Sequence, residues 1–335
     1  MKMLMVRLIF TAIALALIAG KLGAATQETA AEPPRRVVKS IFLQPEIKTS
    51  KEVDASVIGE VQPASERFYV RLGNYGKATP MARQAWNAGR YTGFQLPQNK
   101  SPAAYQRGPM PSGEGTTVQL LGREIGIWID SDYPRPALGS LLPVCPAYWW
   151  WDLSRAPDPF RDAHRELSFS FELKVPTAVR QGTAEVYITT NFLFRDKRSK
   201  QQFWLAAFLF DPRGEERSPD TVHLDNWEGG TQLPILFSSL NLRSQWLHPG
   251  TGSSQFTDKP FEDYRRIDVC LGPEELRAAI ASMRKAMPQF AAASEDPRDY
   301  QLIHFNINPE VSAPQGSRGQ LGLALRDIRV ELLRR

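Results

Sequence analysis

Two segments carry most of the residues that could do chemistry. In AEVYITTNFLF (184–194), Glu185, Tyr187, Thr189 and Asn191 alternate with Val186, Ile188, Thr190 and Phe192. In YQLIHFNINPE (300–310), Tyr300, His304, Asn306 and Asn308, with Leu302 among them, alternate with Ile303, Phe305 and Ile307. Strand parity sends each set to its own face. One face is apolar and suits a core. The other mixes aromatics, amides and hydroxyls, whereas a freely solvated face would be richer in Lys and Glu. Such a surface fits a sugar, whose C–H faces stack on rings and whose hydroxyls pair with Asn, Thr and His. Tyr187, Asn191, His304 and Asn306 are the candidate ligand-binding residues. Cleaving a glycosidic bond needs two carboxyl groups that flank it. Glu185 opens the first segment and Glu310 closes the second, so they form the preferred catalytic pair. Asp225 and Glu228 in HLDNWEGG, beside Trp227, form a second candidate site.

The stretch CPAYWWWD (145–152) adds Trp149, Trp150 and Trp151. As a strand it sends Trp149 and Trp151 one way and Tyr148 and Trp150 the other. One pair of rings would fill a core while the other lines a groove; the alternative is burial on both sides. Cys145 precedes this stretch and Cys270 ends YRRIDVCL. They are the only two cysteines, and in an oxidising compartment they are expected to form a disulfide. Two buried thiols are the alternative. The four histidines (164, 223, 248 and 304) are scattered and there is no CxxC. No metal or other cofactor is expected.

These residues need elements to hold them. RELSFSFELKV alternates Leu167, Phe169, Phe171, Leu173 and Val175 against Glu166, Ser168, Ser170, Glu172 and Lys174, the pattern of a half-buried strand. PTAVRQGT is expected to separate it from the strand bearing Glu185. QQFWLAAFLFD follows the charged turn RDKRSK, which predicts a hairpin. TVQLLGREIGIWIDS, QLPILFSSL, YRRIDVCL and LGLALRDIRVELL supply further strands. One helix is predicted over 273–287. Pro273, Glu274 and Glu275 suit its first turn, an apolar stripe runs through Leu276, Ala279, Ile280, Met283 and Met287, and Pro288 stops it. The stripe is expected to pack on the outside of the sheet. Many strands and one helix predict an all-β, antiparallel, jelly-roll-like sandwich.

The N-terminus MKMLMVRLIFTAIALALIAGKLGAATQ has a basic start, an apolar run from Leu8 to Gly20 and small residues at 23–25. It reads as a signal peptide over 1–25, followed by a flexible leader over 26–60 and the sandwich over 61–335. The protein is then exported, to periplasm or beyond. The chain has 41 Lys+Arg and 36 Asp+Glu. Residues 1–25 hold three bases and no acids, so 38 basic residues face 36 acidic ones in the rest. That near-neutral balance does not indicate nucleic-acid binding. No membrane span is expected after the signal is removed, and nothing in the sequence sets the oligomeric state.

The order of elements resembles the C-terminal half of the family-12 glycoside hydrolases, secreted jelly-roll endoglucanases of the concanavalin A-like type. The resemblance covers about residues 185–331. It runs from the strand with Glu185 through the helix and the strand leading to Glu310 to GQLGLALRDIRVEL. It implies that Glu185 is a nucleophile and Glu310 an acid/base. The sequence departs from the family pattern twice. Thr189 and Thr190 stand where that family has a Trp after its nucleophile, and Asn308-Pro309 stands where Gly-Thr precedes its second Glu. Three readings stay open: an endo-acting retaining glycosidase, a non-catalytic protein that binds a cell-envelope or other glycan, and an envelope scaffold protein.

Overall fold

The computed structural model describes residues 36–44, 59–61, 66–68, 71–73, 116–121, 124–131, 139–143, 153–214, 220–226, 232–239, 244–254, 257–314 and 316–334. Among them, sixteen strands are numbered in chain order. The first seven are β1 (Arg36–Leu43), β2 (Gly59–Val61), β3 (Glu66–Phe68), β4 (Arg71–Gly73), β5 (Thr116–Leu121), β6 (Glu124–Asp130) and β7 (Gly139–Pro143). The next five are β8 (Arg165–Gln181), β9 (Glu185–Asp196), β10 (Gln202–Phe210), β11 (Thr221–Asn226) and β12 (Gln232–Ser239). β13 (His248–Pro249), β14 (Phe261–Leu271), helix α1 (Pro273–Ala286), β15 (Tyr300–Ser312) and β16 (Arg318–Arg334) complete the order.

The strands form an all-β sandwich of two seven-stranded sheets. Sheet I runs β13-β14-β8-β16-β6-β5, with β1 also paired to β16. Sheet II runs β11-β12-β10-β9-β15-β7-β4, and β2 pairs separately with β3. The pairings are antiparallel except for β10 with β12, which is parallel. That exception follows from β11, which pairs antiparallel with β12 at the edge and so reverses the chain before it returns beside β10.

The predicted parity sets the core. Leu167, Phe169, Phe171, Leu173 and Val175 of β8 face Val186, Ile188, Phe192 and Phe194 of β9, all at most 1% exposed. Phe169 makes edge-to-face contacts with both Phe192 (5.7 Å) and Phe305 (5.5 Å), so one ring links the two sheets. Such pairs contribute about 0.5–1.5 kcal/mol beyond area burial.

Four expectations are corrected. First, PTAVRQ does not end the strand. β8 runs on to Gln181, with a register shift between its pairings at Lys174 and Thr177 that accommodates Pro176. Second, the polar face of β8 is not solvated at its start. Glu166, Ser168 and Ser170 are 1–3% exposed. Third, α1 does not lie on the outside of a sheet. Leu276, Ala279, Ile280 and Met283 belong to the main core, together with Leu236 of β12 and Trp246. Trp246 Nε1 donates to Ser282 Oγ of the helix at 3.2 Å. Fourth, the span read as a flexible leader contains β1, which pairs with β16 and buries Phe42 in the core.

The β9–β10 hairpin forms as predicted. Asp196 organises its turn by accepting from Arg198 N, Ser199 N and Ser199 Oγ, and it ties the turn to the segment after α1 through Ser294 N. Burial alone would raise its pKa; these hydrogen bonds outweigh it and hold the carboxyl below its ordinary value.

Candidate functional site

β9 and β15 pair antiparallel along their whole length, with Asn191 opposite Asn306, Thr189 opposite Asn308, Tyr187 opposite Glu310 and Glu185 opposite Ser312. Directly opposed residues share a face. Tyr187, Asn191, Asn306, Glu185 and Glu310 therefore lie on one face of sheet II, the one turned away from the main core. His304 joins them opposite Leu193, because the register shift between Leu302 and His304 switches the parity there; Tyr300 and Leu302, expected on the polar face, lie in the main core, and Ile303, expected in the core, lies in a separate apolar cluster.

Hydrogen bonds run along this face. Asn191 Nδ2 donates to Asn306 Oδ1 at 2.5 Å and to Thr189 Oγ1 at 3.2 Å. Asn306 Nδ2 lies 3.5 Å from His304 Nε2, which accepts when the imidazole carries its proton on Nδ1. Asn308 Nδ2 donates to Glu310 Oε2 at 3.3 Å. The buried Asn308 Oδ1 has no hydrogen-bond partner among the described residues. His304 is fully buried, and burial lowers its pKa to about 3, so it is neutral at ordinary pH.

Aromatics flank the amides on the β10 side. Trp204 packs edge-on to His304 at 5.5 Å. Tyr187, Phe208, Phe237 and His223 form a continuous row across β9, β10, β12 and β11, with ring centroids 5.6, 5.1 and 6.0 Å apart in that order. Tyr187 and Phe237 are half-buried and His223 is exposed, so the row reaches solvent. Arg213 lies over the Tyr187 ring at 5.5 Å. Its Nη1 donates to Glu185 Oε1 at 2.9 Å, and its Nε and Nη2 chelate the buried Asp211. At the other end, Leu193, Trp204 and Ile303 bury one another with Ala156 in a second, smaller apolar cluster.

Glu185 is 48% exposed and held by Arg213. Glu310 is half-buried beside Asn308. By register the two acids are diagonal neighbours on adjacent strands, a relation that puts the residues about 7–8 Å apart and their Cβ atoms somewhat closer. Trp149, Trp150, Trp151, Trp227, Glu228 and Cys145 lie outside the described residues. Asp225 lies on β11. Cys270 is fully buried, with its Sγ 3.5 Å from Asp268 Oδ1, and the Cys145 expected to bridge it lies outside the described residues. Sequence reasoning missed Phe208, Phe237 and Arg213. The alternation of Phe208 with Leu209 could have pointed to the first. Nothing local pointed to Arg213, which comes from the loop after β10.

A second polar cluster lies on the outer face of sheet I. His248 pairs with Cys270, and Cys270 with Ser168, so Glu166 is one diagonal step away. His248 Nε2 is 3.1 Å from Glu166 Oε2 and Nδ1 is 3.4 Å from Glu275 Oε1. Burial would lower the His248 pKa, but the two carboxylates raise it to about 9. Ser168 Oγ donates to Asp268 Oδ1 at 2.6 Å. Gly250 closes over Asp268 so tightly that a Cβ there would fall 2.1 Å from Oδ2.

Among the described residues, no helix is long and apolar enough to cross a membrane. No protein-family model matches the chain, and no curated protein matches it. Among solved structures, it is similar to a family 12 xyloglucanase from Bacillus licheniformis in complex with ligand. That match has 8% identity and a TM-score of 0.37, and covers 85% of this chain and 100% of the other. It is also similar to a loop-swap mutant of Necallimastix patriciarum Xyn11A. There the identity is 7% and the TM-score 0.28, over 64% of this chain and 94% of the other. The likeness is a weak structural resemblance to jelly-roll glycoside hydrolases.

Proposed function

We propose that the protein is an exported, carbohydrate-engaging β-sandwich whose ligand lies on the outer face of sheet II. One observation carries this reading: the ring row Tyr187–Phe208–Phe237–His223 runs beside the amide and hydroxyl row Thr189, Asn191, Asn306 and Asn308 on the same face. Rings supply the apolar platform, and polar side chains at the site fix orientation. The basic start and apolar run of residues 1–25 support export. The test is calorimetric titration with soluble β-glucans and cell-envelope glycan fragments. Tyr187→Ala and Phe237→Ala should each weaken binding about ten-fold, equivalent to about 1.4 kcal/mol. No binding by the wild type to any glycan tested would leave the scaffold reading standing.

A second reading, hydrolysis with retention, is favoured by the diagonal placement of Glu185 and Glu310 across β9 and β15. Carboxyl groups about 5–5.5 Å apart can act as nucleophile and acid/base. Release of reducing ends by the wild type, abolished in Glu185→Gln and Glu310→Gln while binding persists, is the expected result. Binding without any cleavage confines the protein to the first reading.

A further inference from the structure

We propose that Glu166, His248 and Cys270 form a site for a divalent transition metal of the zinc class on the outer face of sheet I. The sequence gives no sign of it, because the three residues lie far apart in the chain. The fold places them on β8, β13 and β14, three neighbouring strands, with their side chains on one face. One donor atom from each lies within 4.8 Å of the other two. Glu166 is 1% exposed and Cys270 0%, so the donors are not solvated surface groups.

The donor set is an imidazole nitrogen, a carboxylate oxygen and a sulfur, each an ordinary zinc ligand. Metal–ligand bonds of about 2.0–2.3 Å put tetrahedral ligands roughly 3.3–3.7 Å apart. The His248 Nε2 to Glu166 Oε2 separation of 3.1 Å is already close to that. An ion there takes the place of the proton between the two atoms with little movement of either.

The surroundings fit as well. Glu275 faces the other ring nitrogen, Nδ1, at 3.4 Å. That is the carboxylate–histidine–metal arrangement that fixes the tautomer and orients the ring. Glu275 is itself anchored at the start of α1, where its Oε2 accepts from Gly272 N at 3.1 Å. Asp268 Oδ1, 3.5 Å from Cys270 Sγ and accepting from Ser168 Oγ, lies beside the thiol, outside the group of three donors. Three carboxylates and a thiol in so enclosed a space make a setting in which a divalent cation is stabilised, since buried charge needs a counter-charge. The burial of the donors indicates a structural ion that joins β8, β13, β14 and α1.

The experiment is cobalt substitution of the full chain after chelation. Wild-type protein should bind one Co2+ per chain, with a thiolate-to-cobalt charge-transfer band and the intense visible bands of a tetrahedral ion, and Zn2+ should displace it. Cys270→Ser should abolish the charge-transfer band. Glu275→Gln, which acts by positioning His248, should keep the band but weaken affinity about 10–100-fold. Three results each overturn the site: no cobalt binding by the wild type, binding without a sulfur band, or a band that survives Cys270→Ser. The wild-type spectrum decides even where a variant fails to fold.

Discussion

The outer faces of the two sheets each carry a polar row built around one histidine, and the two histidines titrate in opposite directions. His248 on sheet I sits between Glu166 and Glu275, and its pKa rises to about 9. His304 on sheet II sits among an amide and an indole, and its pKa falls to about 3. Burial pushes both the same way, towards the neutral ring. The partners decide the outcome, because carboxylates favour the charged ring and Asn306 and Trp204 do not. The difference divides the molecule by ligand chemistry. A face of carboxylates and a thiol suits a cation, and a face of amides and rings suits a neutral polyol.

The largest effect that can break this contrast lies on the acid side. His304 is neutral in the folded state, so it gives stability above pH 6.5 that is lost as pH falls towards about 3. Its share of the slope is about 1.4 kcal/mol per pH unit in that window. Urea unfolding of wild type and His304→Gln at pH 4 and 6.5 measures it. Equal acid slopes for the two proteins would mean that His304 is solvated or charged.

The metal-free protein should show the opposite limb. His248 has a raised pKa, so its contribution is fully present below pH 6.5 and is lost as pH rises to about 9. The loss is at most about 3 kcal/mol, and less to the extent that the 26% exposed side chain is screened. His248→Gln should flatten the alkaline limb and leave the acid limb unchanged in the same urea series.

The smallest effect concerns Asn191 and Asn306. Asn191→Leu leaves a buried amide without its partner and should cost about 1–3 kcal/mol. Asn191→Leu combined with Asn306→Leu should cost less than the sum of the two single changes, because neither variant side chain then lacks a partner. Additive costs in thermal unfolding would show that the two amides act independently.

Much of this contrast was legible in the sequence. Alternation assigned the core faces of β8 and β9 correctly, and that of β15 from Phe305 onward; before it, the register shift between Leu302 and His304 sends Tyr300 and Leu302 into the core and Ile303 out of it. Pro273, Glu275 and Pro288 marked both ends of the helix. What alternation cannot show is what lies over the second face. Glu166 and Ser168 read as solvent-facing, yet β13 and the Gly250 loop close over that surface. Glu166 lies 82 positions from His248 and 104 from Cys270 and meets them only through pairing order, so the Glu166–His248–Cys270 group left no local pattern.

β16, the last strand among the described residues, pairs with β8, β6 and β1. Its pairing of Arg36 with Arg334 joins positions at nearly opposite ends of the sequence. Contacts of such long range are slow to form, because the closure entropy of the intervening chain is lost before they return any energy. Sheet I therefore cannot close until β16 is available. Until then β8 and β6 present open edges and an uncovered apolar face, the condition that favours edge-to-edge aggregation. A nascent chain thus waits on the seventeen-residue β16. Anything that keeps the earlier strands apart until that strand arrives governs the yield of native protein more than the stability of the finished sandwich does.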